Sequence, residues 1–356
     1  MTSPDLPDAP SAVVAVSDPG ELIAATPVLL GFPPRSSLVA MALGGPSGGR
    51  LGLTLRIDLP PPEHTAAAAE SVVQGILLDD PRGVVVLVVG PGGDAGPPAG
   101  ELVERVVAGL ESRAVDVPLT LWAESTRGGS RWSCYDACAC SGTVPGAAET
   151  PLAVAARVEG RVVLDDRSDL ERLVAPADEG RIRRREAMLT AEIDAAVDAG
   201  SGPGSEDGVT EGIAALERVL DAVAASKARG IVAGEGGLVL ADEQVLAVAW
   251  TLGTPAVRDV AIAACTGSRP AVAEALWALL AREMPDPEAA EPAALLALSA
   301  LLRGDGALAN VALDRAERAW PGHGFTAMLR DLARAGTRPS ELRACLAGRS
   351  IPLDAV

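Results

Sequence analysis

The chain has 356 residues, 48% of them hydrophobic, and a net charge of −18. That length suffices for two domains with separate cores. A field of that sign disfavours nucleic acid and anionic lipid, whose binding needs clustered cationic side chains.

Only Phe32, Phe325, Tyr135 and five tryptophans are aromatic, so the core has to be built from Ala, Val and Leu. One lysine, Lys227, stands against 29 arginines, a bias that fits a GC-rich coding sequence better than a binding surface. Met1 to Pro10 is polar, acidic and proline-rich. It lacks the basic start and apolar stretch of a signal peptide. The longest apolar run, Gly83 to Gly90, is far too short to cross a bilayer. A cytoplasmic protein with reduced cysteines is the expectation.

Along the chain, residues 20–30 read as a helix, with Asp18 as cap and Pro19 in the first turn. Ser37 to Leu43 and Leu51 to Leu59 read as a hairpin-like pair of strands joined by the turn Gly44 to Gly49. In the second strand Leu51, Leu53, Leu55 and Ile57 alternate with Gly52, Thr54, Arg56 and Asp58, giving one buried and one polar face. A helix over Ala66 to Leu78 and a doubly buried strand over Val84 to Val89 follow. Another helix, Glu101 to Glu111, then precedes a strand over Leu119 to Ala123. This alternation implies a sheet with helical crossovers.

Beyond Arg181 the pattern is helical: 181–197, a helix from Val209, then 241–252, 255–265, 270–283, 292–303, 306–319, 323–335 and 339–347. The expected fold is an α/β N-terminal domain over 1–175, a mixed sheet with helical crossovers. A connecting helix and Gly/Ser-rich linker occupy 176–208. An all-α helical-hairpin C-terminal domain with weak tetratricopeptide-like character covers 209–356, with about one such unit around Leu295 to Ala316.

The motif Gly31-Phe32-Pro33-Pro34-Arg35-Ser36-Ser37-Leu38-Val39, with Leu55-Arg56-Ile57-Asp58-Leu59-Pro60 downstream, resembles the actinobacterial domain of unknown function 4192 family. So do Arg131-Trp132-Ser133-Cys134-Tyr135 with Cys138 and Cys140, Gly160 to Leu164 with Arg167, and the helical block from Val257-Arg258-Asp259-Val260 to Gly304–Ala309. The resemblance implies a fold and no activity.

Two sets of residues are candidates for chemistry. Arg35, Ser36 and Ser37 open a strand after a double proline, and Arg56 and Asp58 lie on the polar face of the next. On neighbouring strands, the two arginines would offer forks to one small anionic ligand. The plainer reading is an Arg56–Asp58 surface pair or a capping network. Cys134, Cys138 and Cys140 lie within seven residues. Clustered thiolates hold zinc or iron–sulfur clusters, yet CxxxCxC is no standard zinc knuckle. A fourth ligand would have to come from Asp136, His64 or a distant residue. Reduced structural cysteines are the plainer reading, with a redox pair assisted by Arg131 as another. No cofactor is predicted, and zinc is the metal the cluster leaves open.

Other features are weaker. The loop Pro91 to Gly100 follows a buried strand but lacks a phosphate-loop spacing and a lysine. Asp79 and Asp80 end a helix. Arg181, Arg183, Arg184 and Arg185 read as a solvated helix face, with a contact to an acidic partner or to the acidic body of the same protein as the alternative. His64 and His323 are the only histidines, and neither has an obvious nucleophile beside it in sequence. There is no HExxH or GxSxG. The expectation is a non-catalytic interaction or regulatory protein with a small anionic ligand and a protein partner or second copy. The alternatives are an enzyme acting on a nucleotide-like or other anionic small molecule, and a cysteine-cluster metal or redox protein.

Overall fold

The computed structural model describes residues 18–44, 50–92, 96–136, 138, 140–146, 150–151, 163–200, 202–229 and 240–348. Residues 45–49 of the expected hairpin turn, 93–95 of the Gly-rich loop and the polar stretch Met1 to Pro10 lie outside them. The chain divides into two compact units, Met1–Arg167 and Ser168–Val356.

In the first unit, α1 (Pro19–Leu30) starts where expected. The Asp18 carboxylate accepts from the Gly20 amide at 2.6 Å, and Gly31 ends the helix at φ 80°, a conformation glycine adopts without penalty. The strands are β1 (Ser37–Gly44), β2 (Arg50–Asp58), β3 (Gly83–Val89), β4 (Asp116–Ala123), β5 (Arg131–Cys134) and β6 (Ser141–Thr143). Their order in the sheet is β2-β1-β3-β4-β5-β6. Among the described residues only β3 and β4 run parallel, and they are linked through the helix α3 (Gly100–Glu111); the other pairs are antiparallel. The helix α2 (Thr65–Leu77) connects β2 to β3 after a 3₁₀ turn over Pro62–His64.

Period-two alternation sorts the sheet residues onto two faces. Leu38, Ala40, Val86, Val88 and Trp122 pack with Val72, Val73 and Ile76 of α2 and with Val103, Val106 and Leu110 of α3. The opposite residues Val39, Met41, Val85, Leu87 and Leu121 are just as buried. On that side, a side-chain carbon at Gly20 of α1 would lie 3.1 Å from the Trp132 ring nitrogen. Burial on both faces explains why β3 is a run of valines and leucine with no polar interruption.

The second unit is helical: α4 (Arg167–Val174), α5 (Glu179–Asp198), α6 (Glu206–Ala228), α7 (Asp242–Thr251), α8 (Pro255–Thr266), α9 (Pro270–Glu283), α10 (Ala290–Arg303), α11 (Gly306–Ala319), α12 (Gly324–Arg334) and α13 (Pro339–Ala347). Helices α10 and α11 form the expected hairpin. Gly304 turns the chain at φ 78°, and Asp305 caps α11 by accepting from the Leu308 amide at 2.9 Å. Lys227, in the last turn of α6, donates to the Ala271 carbonyl of α9 at 2.9 Å. Among the described residues no single helix is long and apolar enough to cross a membrane. The bent pair α7–α8 passes such a test only jointly, and its Val245, Val248, Val257 and Ala261 are buried within the unit.

Candidate functional site

A parallel strand pair brings both carboxyl ends to the same edge of the sheet, and the crevice outside those ends is where ligands bind in open α/β sheets. Here β3 and β4 end side by side, Val89 opposite Ala123, and β1 starts there too, Ser37 opposite Val89. A cleft of about 350 Å3 opens at this edge. Its lining comes from Pro33, Pro34, Arg35 and Ser36 before β1, from Val89, Gly90 and Pro91 at the end of β3, and from Glu124, Ser125, Thr126 and Arg127 after β4.

Local contacts fix the walls. The Trp122 indole N–H donates to the Gly90 carbonyl at 2.9 Å, and a side-chain carbon at Gly92 would meet the Trp122 ring at 2.6 Å. Only glycine lets the loop lie so close to the ring. The Ser125 and Ser130 hydroxyls share a hydrogen bond of 2.7 Å, and the Arg127 amide donates to the Ser125 hydroxyl at 3.2 Å. Ser36 sits at φ 43°, a left-handed backbone that is uncommon for a side-chain-bearing residue and is held where surrounding structure over-determines it. Its carbonyl accepts from the Leu59 amide at 2.8 Å.

Arg35 and Ser36 therefore line the cleft, with the Arg35 side chain 64% exposed and 3.7 Å from Asp166. Ser37, Arg56 and Asp58 are connected to them differently. The Arg56 guanidinium donates to the Ser37 hydroxyl at 2.8 Å and pairs with Asp58. The Ser37 hydroxyl, fully buried, donates to the Arg35 carbonyl at 2.6 Å. Arg56 also stands over the Phe32 ring, 6.0 Å from its centre. Asp58, Arg56 and Ser37 form a chain of contacts that ends on the Arg35 backbone, and Ser36 stands outside it. Neither Arg56 nor Asp58 is among the described residues that line the cleft. Their geometry suits positioning of the Pro33–Ser36 segment.

Four lining residues escaped the sequence reading: Glu124, Ser125, Thr126 and Arg127. The available signal was a hydroxyl- and charge-bearing turn, Glu124-Ser125-Thr126-Arg127-Gly128-Gly129, directly after a strand. Glu124 pairs with Arg131 at 3.7 Å, whereas Arg127 has no acidic partner among the described residues.

The cysteines sit at the other end of β5. The sulfur atoms of Cys134, Cys138 and Cys140 all lie within 4.8 Å of one another, and among the described residues neither Asp136 nor His64 joins them at that distance. All five cysteines are free. Burial and the neighbouring thiols push Cys134 up to about 12. Hydrogen bonding from the Cys140 thiol and amide lowers Cys138, and the same thiol pair raises Cys140. Arg131 is not the cause, since it pairs with Glu124 at the cleft end of the strand.

The remaining candidates are absorbed by packing. Asp79 accepts from the Leu53 amide at 2.9 Å. Arg185 is fully buried. It pairs with Asp242 at 2.8 Å and with Glu283, and donates to the Leu240 carbonyl at 3.1 Å, while Arg181 reaches Glu283 at 3.0 Å. All four arginines contact acidic groups of their own unit, Arg183 with Glu179 and Arg184 with Asp242 in exposed pairs. His323 does have a hydroxyl beside it: its Nδ1 is 2.8 Å from Thr326 Oγ1 and its Nε2 is 3.0 Å from Glu291, which also binds Arg258 at 2.9 Å. The order of groups matches a nucleophile–base–acid relay. Thr326 is wholly buried, however, and His323 and Glu291 nearly so, so no substrate reaches it.

The family model described as Domain of unknown function (DUF4192) matches residues 19–340, and the chain belongs to that family. A search of curated proteins and of solved structures finds no match to the chain.

Proposed function

We propose that this DUF4192 member is a non-catalytic regulatory protein whose α/β unit binds a small anionic ligand in the cleft at the ends of β3 and β4. The observation that carries this reading is the lining: Arg127 without an acidic partner among the described residues, Arg35 largely exposed, and the hydroxyl residues Ser36, Ser125 and Thr126, all around the carboxyl ends of the parallel strands β3 and β4. A volume of about 350 Å3 falls at the small end of the roughly 300–1,000 Å3 of small-molecule sites. Two guanidinium groups against the one carboxylate of Glu124 in the lining contrast with a chain of net charge −18, so attraction for an anion is confined to the cleft and does not extend over the surface.

The ligand would act by loading a conformation that a protein partner or a second copy of the chain reads on the helical unit, whose hairpins offer rigid surfaces. Nucleic acid and membrane have no place in this reading, because the surplus charge is acidic. Free cysteines fit the reducing cytoplasm, and 29 arginines against one lysine fit a GC-rich actinobacterial source.

Isothermal titration of the full chain with inorganic phosphate, succinate and a nucleoside monophosphate tests the reading. At least one of them should bind. Arg127→Ala should weaken that binding by about tenfold to a hundredfold, the value of one charge-assisted hydrogen bond. Its melting temperature should stay unchanged. Binding of none of the three, or equal binding by the variant, overturns the site. Turnover of a bound anion that disappears in Arg127→Ala would overturn the non-catalytic part and make the protein an enzyme.

A further inference from the structure

Strand β5 begins at Arg131, which pairs with Glu124 of the cleft lining, and ends at Cys134, where a different chemistry gathers. After Cys134 the chain turns and comes back as β6, with Ser133 opposite Ser141. The Cys134 amide donates to the Cys140 carbonyl at 2.9 Å, so the ladder itself sets the first and third cysteines across from each other. Cys138 lies in the turn between them, and its sulfur accepts from the Cys140 amide at 3.5 Å. An amide aimed at sulfur favours the thiolate over the thiol.

Packing does not account for this cluster. Cys265 shows what a structural cysteine looks like in this protein: it is buried, and its thiol lies between the Ala261 carbonyl at 3.4 Å and the Ser299 hydroxyl at 3.4 Å. Cys138 and Cys140 are exposed and Cys134 is half-buried. Three sulfurs bound to one tetrahedral zinc through bonds of about 2.3 Å stand about 3.8 Å apart, within the 4.8 Å limit that all three pairs satisfy here.

We propose that Cys134, Cys138 and Cys140 form a three-thiolate site for a soft divalent cation, zinc, on the β5–β6 turn, with solvent in the fourth position. Binding replaces three S–H bonds by three Zn–S bonds and releases the three protons to solvent. Zinc has no accessible redox change, so nothing is oxidised or reduced and no further reactant is needed. Three protein ligands with an open position is the coordination of zinc sites that exchange ligands, whereas purely structural sites are closed by four. The cation ties the short edge hairpin β5–β6 together and leaves one coordination position to solvent. The proposal is independent of ligand binding in the cleft.

The test is titration of the reduced full-length chain with Co2+ and then Zn2+. Thiolate-to-cobalt absorption in the near ultraviolet should appear at one equivalent and vanish on addition of one equivalent of zinc. Cys138→Ser and Cys140→Ser, both at exposed positions, should each weaken zinc binding at least tenfold against a chelating dye, with unchanged circular dichroism melts. Cys345→Ser, an exposed cysteine remote in sequence, should bind like the parent. Zinc should also protect three thiols, and not the Cys345 thiol, from alkylation. Absence of the cobalt absorption, or zinc affinity unchanged in both cluster variants, overturns the site. So does a disulfide among the three cysteines in protein isolated under thiol-blocking conditions, which would make them a redox group.

Discussion

The two units handle polar groups in opposite ways. In the sheet unit the buried polar side chains are hydroxyls, Thr26, Ser37, Thr65, Thr120, Thr126 and Thr150; among the described residues every buried charged side chain, together with His323, belongs to the helical unit. The sheet unit leaves its charges unburied, and Arg35 and Arg127 line a cleft. The helical unit encloses Arg185, Glu283, Glu291 and Arg315, and each has a partner within its own unit. A buried charge is costly to desolvate and tolerable only when paired. In this protein it is therefore a mark of helix–helix packing, and the chemistry open to a ligand lies where the groups are exposed and incompletely paired. Reading burial and titratable residues alone as a sign of catalysis would have selected Glu291, His323 and Thr326, a sealed cluster.

The largest effect that can break this contrast is expected at Glu291. Glu291→Ala removes the partner of Arg258 and of His323 at once. Stripping a fully buried ion pair of one partner costs about 3–5 kcal/mol; Arg258 is 13% exposed and keeps the Gly253 carbonyl, so chemical denaturation should show a loss at or below the lower end of that range, with anion binding at the cleft intact in the folded fraction. A stable variant that had lost a binding or catalytic activity would reverse the assignment of the cluster to packing.

A smaller effect should come from the sheet unit. Gly92→Ala places a carbon 2.6 Å from the Trp122 ring, which the Gly90 hydrogen bond holds in place. Overpacking of this kind costs about 1–3 kcal/mol, and because the displaced element is a wall of the cleft, anion affinity should fall with it. A variant that melts and binds like the parent would show that the loop gives way without disturbing the site.

The smallest effect depends on pH. Burial, with Asp286 and Glu186 nearby, raises Glu288 above the ordinary carboxylate range. Its charged form is thus disfavoured in the folded state. The cost is fully present above the folded value and disappears as the pH falls through that value toward the unfolded one. Glu288→Gln should stabilise the protein at neutral pH, within about 1 kcal/mol, and the gain should vanish on acidification. Asp242 has the opposite sign. Arg185 and Arg184 hold it below its ordinary value, so its contribution exists above the unfolded value and is lost as the pH falls through the folded one. Thermal melts of parent and Glu288→Gln between neutral and acidic pH check the first sign, and a gain that grew on acidification would refute it.

Much of the architecture was legible because it rests on local signals. The Asp18 cap with Pro19, the Leu51–Ile57 alternation and the unbroken apolar run of β3 each encode their element within a few residues. The α10–α11 hairpin announced itself through Gly304-Asp305. Strands β5 and β6 were not read. They have four and three residues, too short for a period to emerge, and they exist because β4 offers them an edge. The helix α4 was missed as well, although Leu170 and Val174 recur at helical spacing, because it has only eight residues and four of the others are charged. Arg185 looked like one of four surface arginines. Its burial depends on Glu283 and Asp242, 98 and 57 residues away in sequence, and no local pattern carries that. At the candidate site, Arg35 and Ser36 were found through the double proline before them. Arg127 was not, because its place in the same lining follows from the parallel pairing of β3 and β4.

Lys227 has a practical consequence. It is the sole side-chain amine in the sequence, and it sits at the end of α6 on a carbonyl of α9. Apart from an α-amine, an amine-directed fluorophore has one address, and that address is in the helical unit. Such a label leaves every group at the cleft untouched. A change in its signal when an anion is added would therefore report communication from the sheet to the helices, without any mutation having been made.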